Sequence, residues 1–225
     1  MLSQKKEFFV NTLVSLLTVG AMITLGLRVH AYFSKPKPAS QSEPTHVADW
    51  KQYATVGTRI GAPHAPVVVT VFEDFQCPFC KSLASDLLAA RQRRPSALAV
   101  VYRQYPLSSH FHSNGAARAA LCAGRQGVFE QMHRKLYEEQ DSIGHKAFLE
   151  FARESGVSDL GAFEKCLDDP KIQTEIKRDS LAGVRLGISG TPTLLINDLK
   201  LVGSPGGRLL DSYIDALIDG RHRSR

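Results

Sequence analysis

The chain has 225 residues and a formal net charge of +6, and this length suits one or two domains. Hydrophobic residues make up 43% and charged residues 22%, which excludes a disordered or fibrous chain. The positive charge lies at the two ends: residues 1–37 carry a net +4, residues 221–225 a net +3, and residues 38–220 a net −1. A nucleic-acid-binding protein needs basic density on its folded body, so this class is excluded.

Residues 1–33 are predicted to be a membrane segment. Lys5 and Lys6 precede residues 8–27, a stretch of 20 residues without charge. A helix of that length spans about 30 Å, the hydrocarbon thickness of a bilayer, whereas the apolar part of a cleavable signal peptide has roughly 7–15 residues. The length favours a retained anchor, and the alternative is a signal cleaved near residues 29–31 that leaves the protein soluble in the periplasm.

The positive charges before the uncharged stretch predict on which side of the membrane the folded domain lies. The paired lysines keep the N-terminus in the cytoplasm, so in a bacterium the rest of this single-pass chain lies in the periplasm or on the outer face of the cell (inner) membrane. Residues 34–48 are rich in proline and serine and nearly free of apolar side chains, which predicts an extended linker. Residues 221–225 form a basic tail, interpreted as a solvated end, with contact to anionic lipid as the weaker alternative.

Residues 49–220 are predicted to form an α/β domain. The runs 67–72 and 98–102 are apolar and largely β-branched, without polar alternation, which is typical of strands buried on both faces. Residues 78–94 between them are predicted to be a helix, and Pro78 suits its first position. A strand–helix–strand unit of this length predicts parallel strands.

The second part of this domain is predicted to be a helical insertion followed by a hairpin and a helix. Apolar residues recur at helical spacing from residue 113 to residue 186, so the insertion covers about 108–186. Two apolar runs around the tight-turn signal Asn197-Asp198 then predict a hairpin, at residues 193–196 and 199–202. An amphipathic helix over 208–217 closes the domain. The expected fold is a βαβ half and a ββα half separated by the insertion.

The pattern Cys77-Pro78-Phe79-Cys80 lies where the first predicted strand meets its helix. A thiol at a helix N-terminus is near partial positive charge and unpaired backbone N–H groups, which lower its pKa. Cys77, at the end expected to be exposed to solvent, is therefore the candidate nucleophile, and Cys80, one turn farther in, is the candidate resolving thiol. The alternative is half of a zinc site, but such a site needs four ligands and the chain has no second cysteine pair at this spacing, so no metal is expected.

Two histidines, His110 and His112, follow the second predicted strand. They are weak candidates for metal ligands, and they are also candidates for residues that line the face of the dithiol. The simpler interpretation is a pair of histidines in a surface loop.

Several segments together resemble the DsbA-like thiol:disulfide interchange proteins of the thioredoxin superfamily, at residues 61–66, 72–80, 120–127, 163–168 and 187–193. The resemblance covers roughly residues 50–220. It implies a thioredoxin core with an inserted helical subdomain, and thiol–disulfide exchange without a cofactor. It also implies two kinds of partner: cysteine-containing exported proteins, and a membrane redox partner that is either a quinone-linked reoxidase or an electron donor.

The resemblance also assigns residues around the dithiol. Pro192 matches the family's cis-proline beside the cysteine pair, and Thr191 before it is expected to shape substrate contact. Pro78 and Phe79 support the active site, although Phe79 replaces the histidine of the family's better-known oxidase and offers the thiolate no hydrogen bond.

An acidic residue buried beneath the cysteine pair recurs in thioredoxins at a position that falls here on Val71. Glu73 or Asp74 can substitute for it as a proton shuttle. A solvated strand end explains the two carboxylates equally well.

The remaining cysteines, Cys122 and Cys166, both fall in the helical insertion. With Cys77 and Cys80 as the redox pair, they are expected to form a structural disulfide, which an oxidising compartment permits. The alternative is two buried free thiols that pack as small apolar side chains.

Three functions remain open after these observations. The first is a dithiol oxidase that introduces disulfides into exported proteins, and the second is a membrane-tethered reductase or isomerase of the same proteins. The third is a non-enzymatic copper carrier that uses the two thiolates, although no methionine lies near the motif as soft copper sites favour. The sequence favours the oxidase.

Overall fold

The structure is a computed structural model, and it describes Met22 and residues 43–220. The predicted membrane segment apart from Met22, residues 34–42 of the predicted linker, and the tail 221–225 lie outside the described residues. Among the described residues, no helix is both long and apolar enough to cross a membrane. Residues 43–220 belong to the second of the chain's two compact units, Gln41–Arg225.

The strand predicted over residues 67–72 is the centre of a mixed sheet, and all of its residues are buried. Within residues 43–220 the strands are β1 (Thr45–His46), β2 (Thr58–Gly61), β3 (Val67–Glu73), β4 (Leu98–Gln104), β5 (Thr193–Ile196) and β6 (Leu199–Val202). Their order across the sheet is β1-β6-β5-β3-β4-β2. β3 runs parallel to β4 and antiparallel to β5, and β5 forms the expected hairpin with β6.

The helices fall into the predicted places, except for the short first one, which was not predicted. They are α1 (Lys51–Ala54), α2 (Pro78–Arg93), α3 (Ser113–Gly124), α4 (Phe129–Glu138), α5 (Phe148–Glu154), α6 (Leu160–Leu167), α7 (Pro170–Arg185) and α8 (Gly207–Ile218). The unit β3–α2–β4 is the βαβ half, and β5–β6–α8 is the ββα half. Helices α3 to α7 lie between the two halves in the chain, so the thioredoxin-like α/β fold with a helical insertion is confirmed.

The two outer strands differ from the sequence prediction. β1 pairs Thr45 with Lys200 and His46 with Leu199, so the sheet begins inside the predicted linker rather than at residue 49. β2 pairs with β4 and was not expected either. Both strands are short and partly exposed, so their pairing depends on backbone hydrogen bonds to a distant strand and leaves little hydrophobic pattern in the sequence.

The two faces of the sheet bury different side chains, because successive residues of a strand point to opposite faces. Val69 and Val71 of β3 belong to the larger core cluster, together with α2, α8 and the helical insertion. Phe72 belongs to a second cluster, where it meets Tyr53 and the end of α7. Glu73 therefore shares the face of Val71 and points toward the helical insertion.

A buried ion pair fixes α7 against the sheet. Arg103 of β4 and Asp179 of α7 are each 2% exposed, and Arg103 Nε donates a hydrogen bond to Asp179 Oδ1 at 2.8 Å. The backbone N–H of Gln104 donates to Asp179 Oδ2 at 3.1 Å. Both charges are thus paired and hydrogen-bonded, as burial requires. Since α7 leads into the segment that faces the cysteines, this pair sets where that segment begins.

A disulfide joins two helices of the insertion. Cys122 of α3 and Cys166 of α6 are bonded, with a sequence separation of 44 residues. The bridge joins the two helices, whereas the thiols of Cys77 and Cys80 are both free.

We expect replacement of this disulfide by Cys122→Ala together with Cys166→Ala to lower the free energy of unfolding by about 4 kcal/mol, from the entropy of a loop of this length in the unfolded chain. Urea denaturation of the oxidised proteins measures the difference, and the Cys77→Ser/Cys80→Ser double variant is the control. Two free thiols at these positions in a non-reduced digest, or a variant as stable as the parent, would contradict the prediction.

Candidate functional site

The dithiol lies at the carboxyl end of the central strand. Cys77 is the N-cap residue of α2 and Pro78 is its first helical residue. The backbone N–H groups of Cys80 and Lys81 donate to the carbonyl oxygen of Cys77 at 3.1 and 3.2 Å, which closes the first turn. Since helix N-termini leave backbone N–H groups unpaired, this placement surrounds the Cys77 sulfur with donors.

Cys77 is more buried than the sequence suggested. Cys77 is 4% exposed and Cys80 is 2% exposed, so the expected solvent access of Cys77 is wrong for this conformation. The reason is tertiary, because the segment before β5 lies across the thiol. Phe79 between the cysteines is 51% exposed and forms part of the surface instead.

The segment that covers Cys77 contains a cis peptide bond between Thr191 and Pro192. The Cys77 thiol donates a hydrogen bond to the carbonyl oxygen of Thr191, with 3.2 Å between Sγ and O. The Thr191 hydroxyl is buried, and no described residue forms a hydrogen bond of ordinary geometry with it. This hydroxyl is therefore available to the sulfur, and the structure brings the predicted Thr191-Pro192 pair against the predicted nucleophile.

The two thiols have opposite pKa shifts. The pKa of Cys77 falls from 9.0 to about 6, chiefly because the Cys80 thiol donates a hydrogen bond to its thiolate, with burial opposing the change. The Thr191 hydroxyl and the backbone N–H groups of Cys80 and Phe79 lower it further. The pKa of Cys80 is raised well above its ordinary value, first by burial and then by the hydrogen bond to Cys77 and the charge on Cys77. Near neutral pH, Cys77 is a thiolate and Cys80 a thiol.

Glu73 is buried beneath the dithiol on the face that meets the helical insertion. It is 2% exposed, and Asp74 is 1% exposed, so the alternative of a solvated strand end is wrong. Glu73 Oε2 accepts a hydrogen bond from Tyr137 Oη at 3.1 Å and lies 3.0 Å from His133 Nε2. The charge of Glu73 also contributes to the raised pKa of Cys80, as the smallest of several causes.

Asp74 fixes the loop that follows β4. Its carboxylate accepts hydrogen bonds from the backbone N–H groups of Gln76 and Leu107, both at 2.7 Å, and His110 Nδ1 lies 3.0 Å from Oδ2. The Gln76 side-chain oxygen accepts a hydrogen bond from the backbone N–H of His112 at 2.6 Å. The structure thus places both predicted histidines beside the segment that leads to the cysteines.

Three residues of the site were missed by the sequence analysis: His133, Tyr137 and Gln140. The Gln140 amide donates to the carbonyl oxygens of Phe75 and Cys77 at 2.7 and 3.0 Å, which holds the cysteine loop from the side of the insertion. Their spacing of four and three residues puts them on one face of α4 and its extension, and this periodicity was the available signal. The periodicity alone does not indicate which strand this face of the helix packs against.

The described residues, Met22 and 43–220, contain no group of three or more His, Cys, Asp or Glu side chains placed to hold a metal ion.

Known proteins share this fold. A family model described as Thioredoxin matches residues 54–216. A thioredoxin-like oxidoreductase from Silicibacter pomeroyi DSS-3 is 27% identical, with a TM-score of 0.62 over 75% of this chain and 92% of that one. A periplasmic thioredoxin-like protein from Salmonella enterica serovar Typhimurium is 24% identical, with a TM-score of 0.64 over 78% and 99%. The thiol-disulfide exchange protein alpha-DsbA2 from Wolbachia pipientis is 24% identical, with a TM-score of 0.59 over 75% and 91%.

Curated relatives match by sequence over part of their length. A Na(+)/H(+) antiporter NhaA 3 from Salinispora tropica is 33% identical over 145 residues, which are 61% of this chain and 21% of the antiporter. An NhaA 1 from Mycolicibacterium vanbaalenii is 28% identical over 146 residues, 64% of this chain and 24% of the antiporter. The chain therefore spans about a fifth to a quarter of the length of these relatives.

The fold and the dithiol at the end of its central strand define a thiol–disulfide oxidoreductase. The chain belongs to the thioredoxin family.

We expect the alkylation rate of Cys77 in the reduced protein to rise with pH and to level off above its pKa of about 6, because the thiolate is the reactive form. Thr191→Val removes the hydroxyl and should move the midpoint to higher pH, whereas the matched control Thr191→Ser keeps the hydroxyl and should leave it near the native value. Iodoacetamide kinetics followed by mass spectrometry measure both. A native midpoint near 9 would contradict the assignment.

Proposed function

We propose that the chain is an extracytoplasmic dithiol oxidase that introduces disulfides into exported proteins through Cys77 and Cys80. The observation that carries the proposal is the lowered pKa of Cys77, to about 6, at the N-terminus of α2. Stabilisation of this thiolate lowers the free energy of the reduced form. The disulfide form is therefore the better oxidant, since whatever favours the reduced form raises the reduction potential.

The reaction proceeds by two thiol–disulfide exchanges. A client thiolate attacks Cys77 Sγ of the oxidised protein, the Cys77–Cys80 bond breaks, and Cys80 leaves as a thiolate that takes up a proton. A second client thiolate then attacks the client sulfur of the mixed disulfide and releases Cys77 as its stabilised thiolate. The client loses two electrons, its two thiols lose two protons, and the protein dithiol gains the electrons.

The surface around Cys77 suits an unfolded protein as the substrate. Phe79 is 51% exposed, and Phe111, in the loop that Asp74 and Gln76 hold beside the cysteines, is 88% exposed. Exposed aromatic side chains next to a reactive group favour apolar segments of a client chain. Thr191 and Pro192 form the opposite wall of the site.

Two further features support the compartment and the partner. One of the similar structures is titled a periplasmic protein and another a thiol-disulfide exchange protein. The uncharged stretch over residues 8–27 supports a single-pass anchor in the cell membrane, with the catalytic domain outside. An oxidase must be reoxidised after each cycle, so we assign it a quinone-linked partner in the same membrane. In the alternative, the membrane partner is an electron donor that keeps the dithiol reduced, and the chain is then a reductase or isomerase.

The equilibrium potential of the Cys77–Cys80 pair against glutathione decides between these two directions. We expect a value above thioredoxin's roughly −270 mV, because the Cys77 thiolate is stabilised, and below roughly −120 mV, the value of the strongest oxidant of this type. The upper bound reflects Phe79, which donates no hydrogen bond to the thiolate. A value at or below that of thioredoxin would make the chain a reductase.

We expect Cys80→Ser to accumulate mixed disulfides with client proteins on Cys77, because the resolving thiol is absent. The matched variant Cys77→Ser should trap none. Non-reducing electrophoresis of membranes from cells that express each variant, followed by mass spectrometry of the adducts, measures the difference. Oxidation of reduced test proteins by Cys77→Ser would refute the assignment of the nucleophile.

We expect the protein to remain in the membrane fraction after washing with alkaline carbonate, because residues 8–27 are long enough to span the bilayer. A variant with two of these apolar residues replaced by lysine, for example Leu16→Lys with Leu17→Lys, should appear in the wash. Release of the native protein into the soluble fraction would mean that the segment is cleaved.

A further inference from the structure

A cavity of about 350 Å³ lies between α2 and α4, and neither Phe79 nor Cys80 is among the residues that line it. Its rim consists of exposed side chains, among them Ser85 of α2 and Gln131 of α4. Its floor is buried and includes His133 and Tyr137, the two residues that hold Glu73. The cavity thus reaches from the surface to the two residues that contact the Glu73 carboxylate.

His133 borders both the carboxylate and the cavity. Its Nε2 lies 3.0 Å from Glu73 Oε2, and the same ring lines the cavity floor. Aromatic rings hold the imidazole in this orientation: ring centroids lie 4.3 Å away in Tyr102, 4.9 Å in Tyr137 and 5.5 Å in Phe75. A fixed ring with one nitrogen on a carboxylate and an edge toward a cavity is the arrangement that a proton relay requires.

One carboxylate oxygen of Glu73 is free to bind water. Its Oε2 is occupied by His133 and Tyr137, whereas Oε1 is buried without a hydrogen-bond partner among the described residues. A buried, unpaired carboxylate oxygen is costly unless it serves a purpose or binds water. The electrostatic effect of Glu73 reaches Cys80, so the carboxylate acts on the thiol that must gain and lose a proton in each cycle.

Most of the charges at the cavity mouth are paired. Its rim carries cations and anions that face the imidazole from both helices: Lys81, Arg91, Glu130, Arg134 and Glu138. Arg91 pairs with Glu130, and Arg134 lies 3.6 Å from Glu138. The other titratable groups that face His133 are Glu73, Tyr102 and Tyr137. Lys81 Nζ donates to the carbonyl oxygen of Glu138 at 3.4 Å. With the other four rim charges paired, the mouth favours water over an ionic ligand.

The burial of Cys80 calls for a proton route through the protein. Cys80 is 2% exposed even before anything binds to Cys77, so its thiol has little direct contact with water. A route through neighbouring groups would let Cys80 exchange its proton with solvent at the mixed-disulfide stage.

We propose that His133 relays this proton between Glu73 and water in the α2–α4 cavity, so that Cys80 exchanges protons through the helical insertion. In the oxidative direction His133 takes a proton from cavity water, which leaves hydroxide there, and passes one from Nε2 to the Glu73 carboxylate. The protonated Glu73 then gives its proton to the departing Cys80 thiolate. When the reduced protein is reoxidised, each transfer runs in reverse. His133 is a positioning and relay residue that acts on Cys80 through Glu73. This inference deepens the proposed function and rests on its exchange chemistry.

The test follows the reduced protein as it reacts with oxidised glutathione, which separates the two steps. Cys77 thiolate first forms a mixed disulfide with one glutathione, and Cys80 then loses its proton and displaces that glutathione. Acid quenching and mass spectrometry measure each rate. We expect His133→Gln, which keeps a nitrogen near Glu73 but cannot relay a proton, to slow the second step roughly 10²-fold and to leave the first unchanged. Tyr137→Phe is the matched control, since it removes the other hydrogen bond to Oε2, and should slow it far less.

A structural role is excluded by chemical rescue. In His133→Gly the missing side chain extends the cavity, so added imidazole should restore the second step in a saturable manner. Pyrazole fills the same space but is a far weaker base, and should not. A His133→Gln protein with native rates, or a His133→Gly protein that imidazole does not rescue, would overturn the proposal.

A second set of variants leaves His133 in place. Ser85→Trp at the cavity rim should slow the same step by obstructing water, whereas Gln92→Trp, on the same helix but outside the cavity, should not. Equal rates for these two variants would count against the relay.

If Cys80→Ser traps clients while the His133 variants are unaffected, the proposed function stands and the relay is refuted. If the relay variants respond and the potential is that of a reductase, the relay stands and the oxidase is refuted.

Discussion

The Cys77 sulfur, at the first turn of α2 where the central strand ends, is the group around which the rest of the molecule is arranged. A thiolate there needs hydrogen-bond donors from several directions, because burial alone would raise its pKa. The helix supplies backbone N–H groups and the thiol of Cys80, and the segment before β5 supplies the Thr191 hydroxyl. The sheet brings the two together by pairing β5 beside β3, with Thr193 opposite Phe72.

The helical insertion completes the site from below. It contributes Gln140 to the cysteine loop, and His133 and Tyr137 to Glu73. The disulfide between α3 and α6 ties these helices to one another. The insertion thus supports the cysteine loop and also supplies the side chains that surround Glu73 beneath Cys80, the less reactive thiol. The two cysteines differ in reactivity because one faces the helix N-terminus and the other faces this buried layer.

Much of the fold followed from the hydrophobic pattern. β3 and β4 are buried on both faces and therefore appear as unbroken apolar runs, and Pro78 marks the start of α2. The β1 and β2 strands were missed, because two to four exposed residues carry no such pattern and their pairing is decided by the partner strand. The degree of burial of Cys77 was also missed, since the covering residues lie more than a hundred positions away.

The sequence by itself determined the chemistry: two cysteines at the start of a helix, a proline at the start of a later strand, and the α/β class of the domain. These are local signals, because capping, spacing and periodicity act within a few residues. Only the tertiary structure decided which carboxylate lies beneath the dithiol, since Glu73 and Asp74 are adjacent in the chain and their roles differ by the face of the strand. It also decided that His133 meets Glu73 across 60 residues of chain. Such a contact follows from how the helices pack on the sheet, and no local pattern records it.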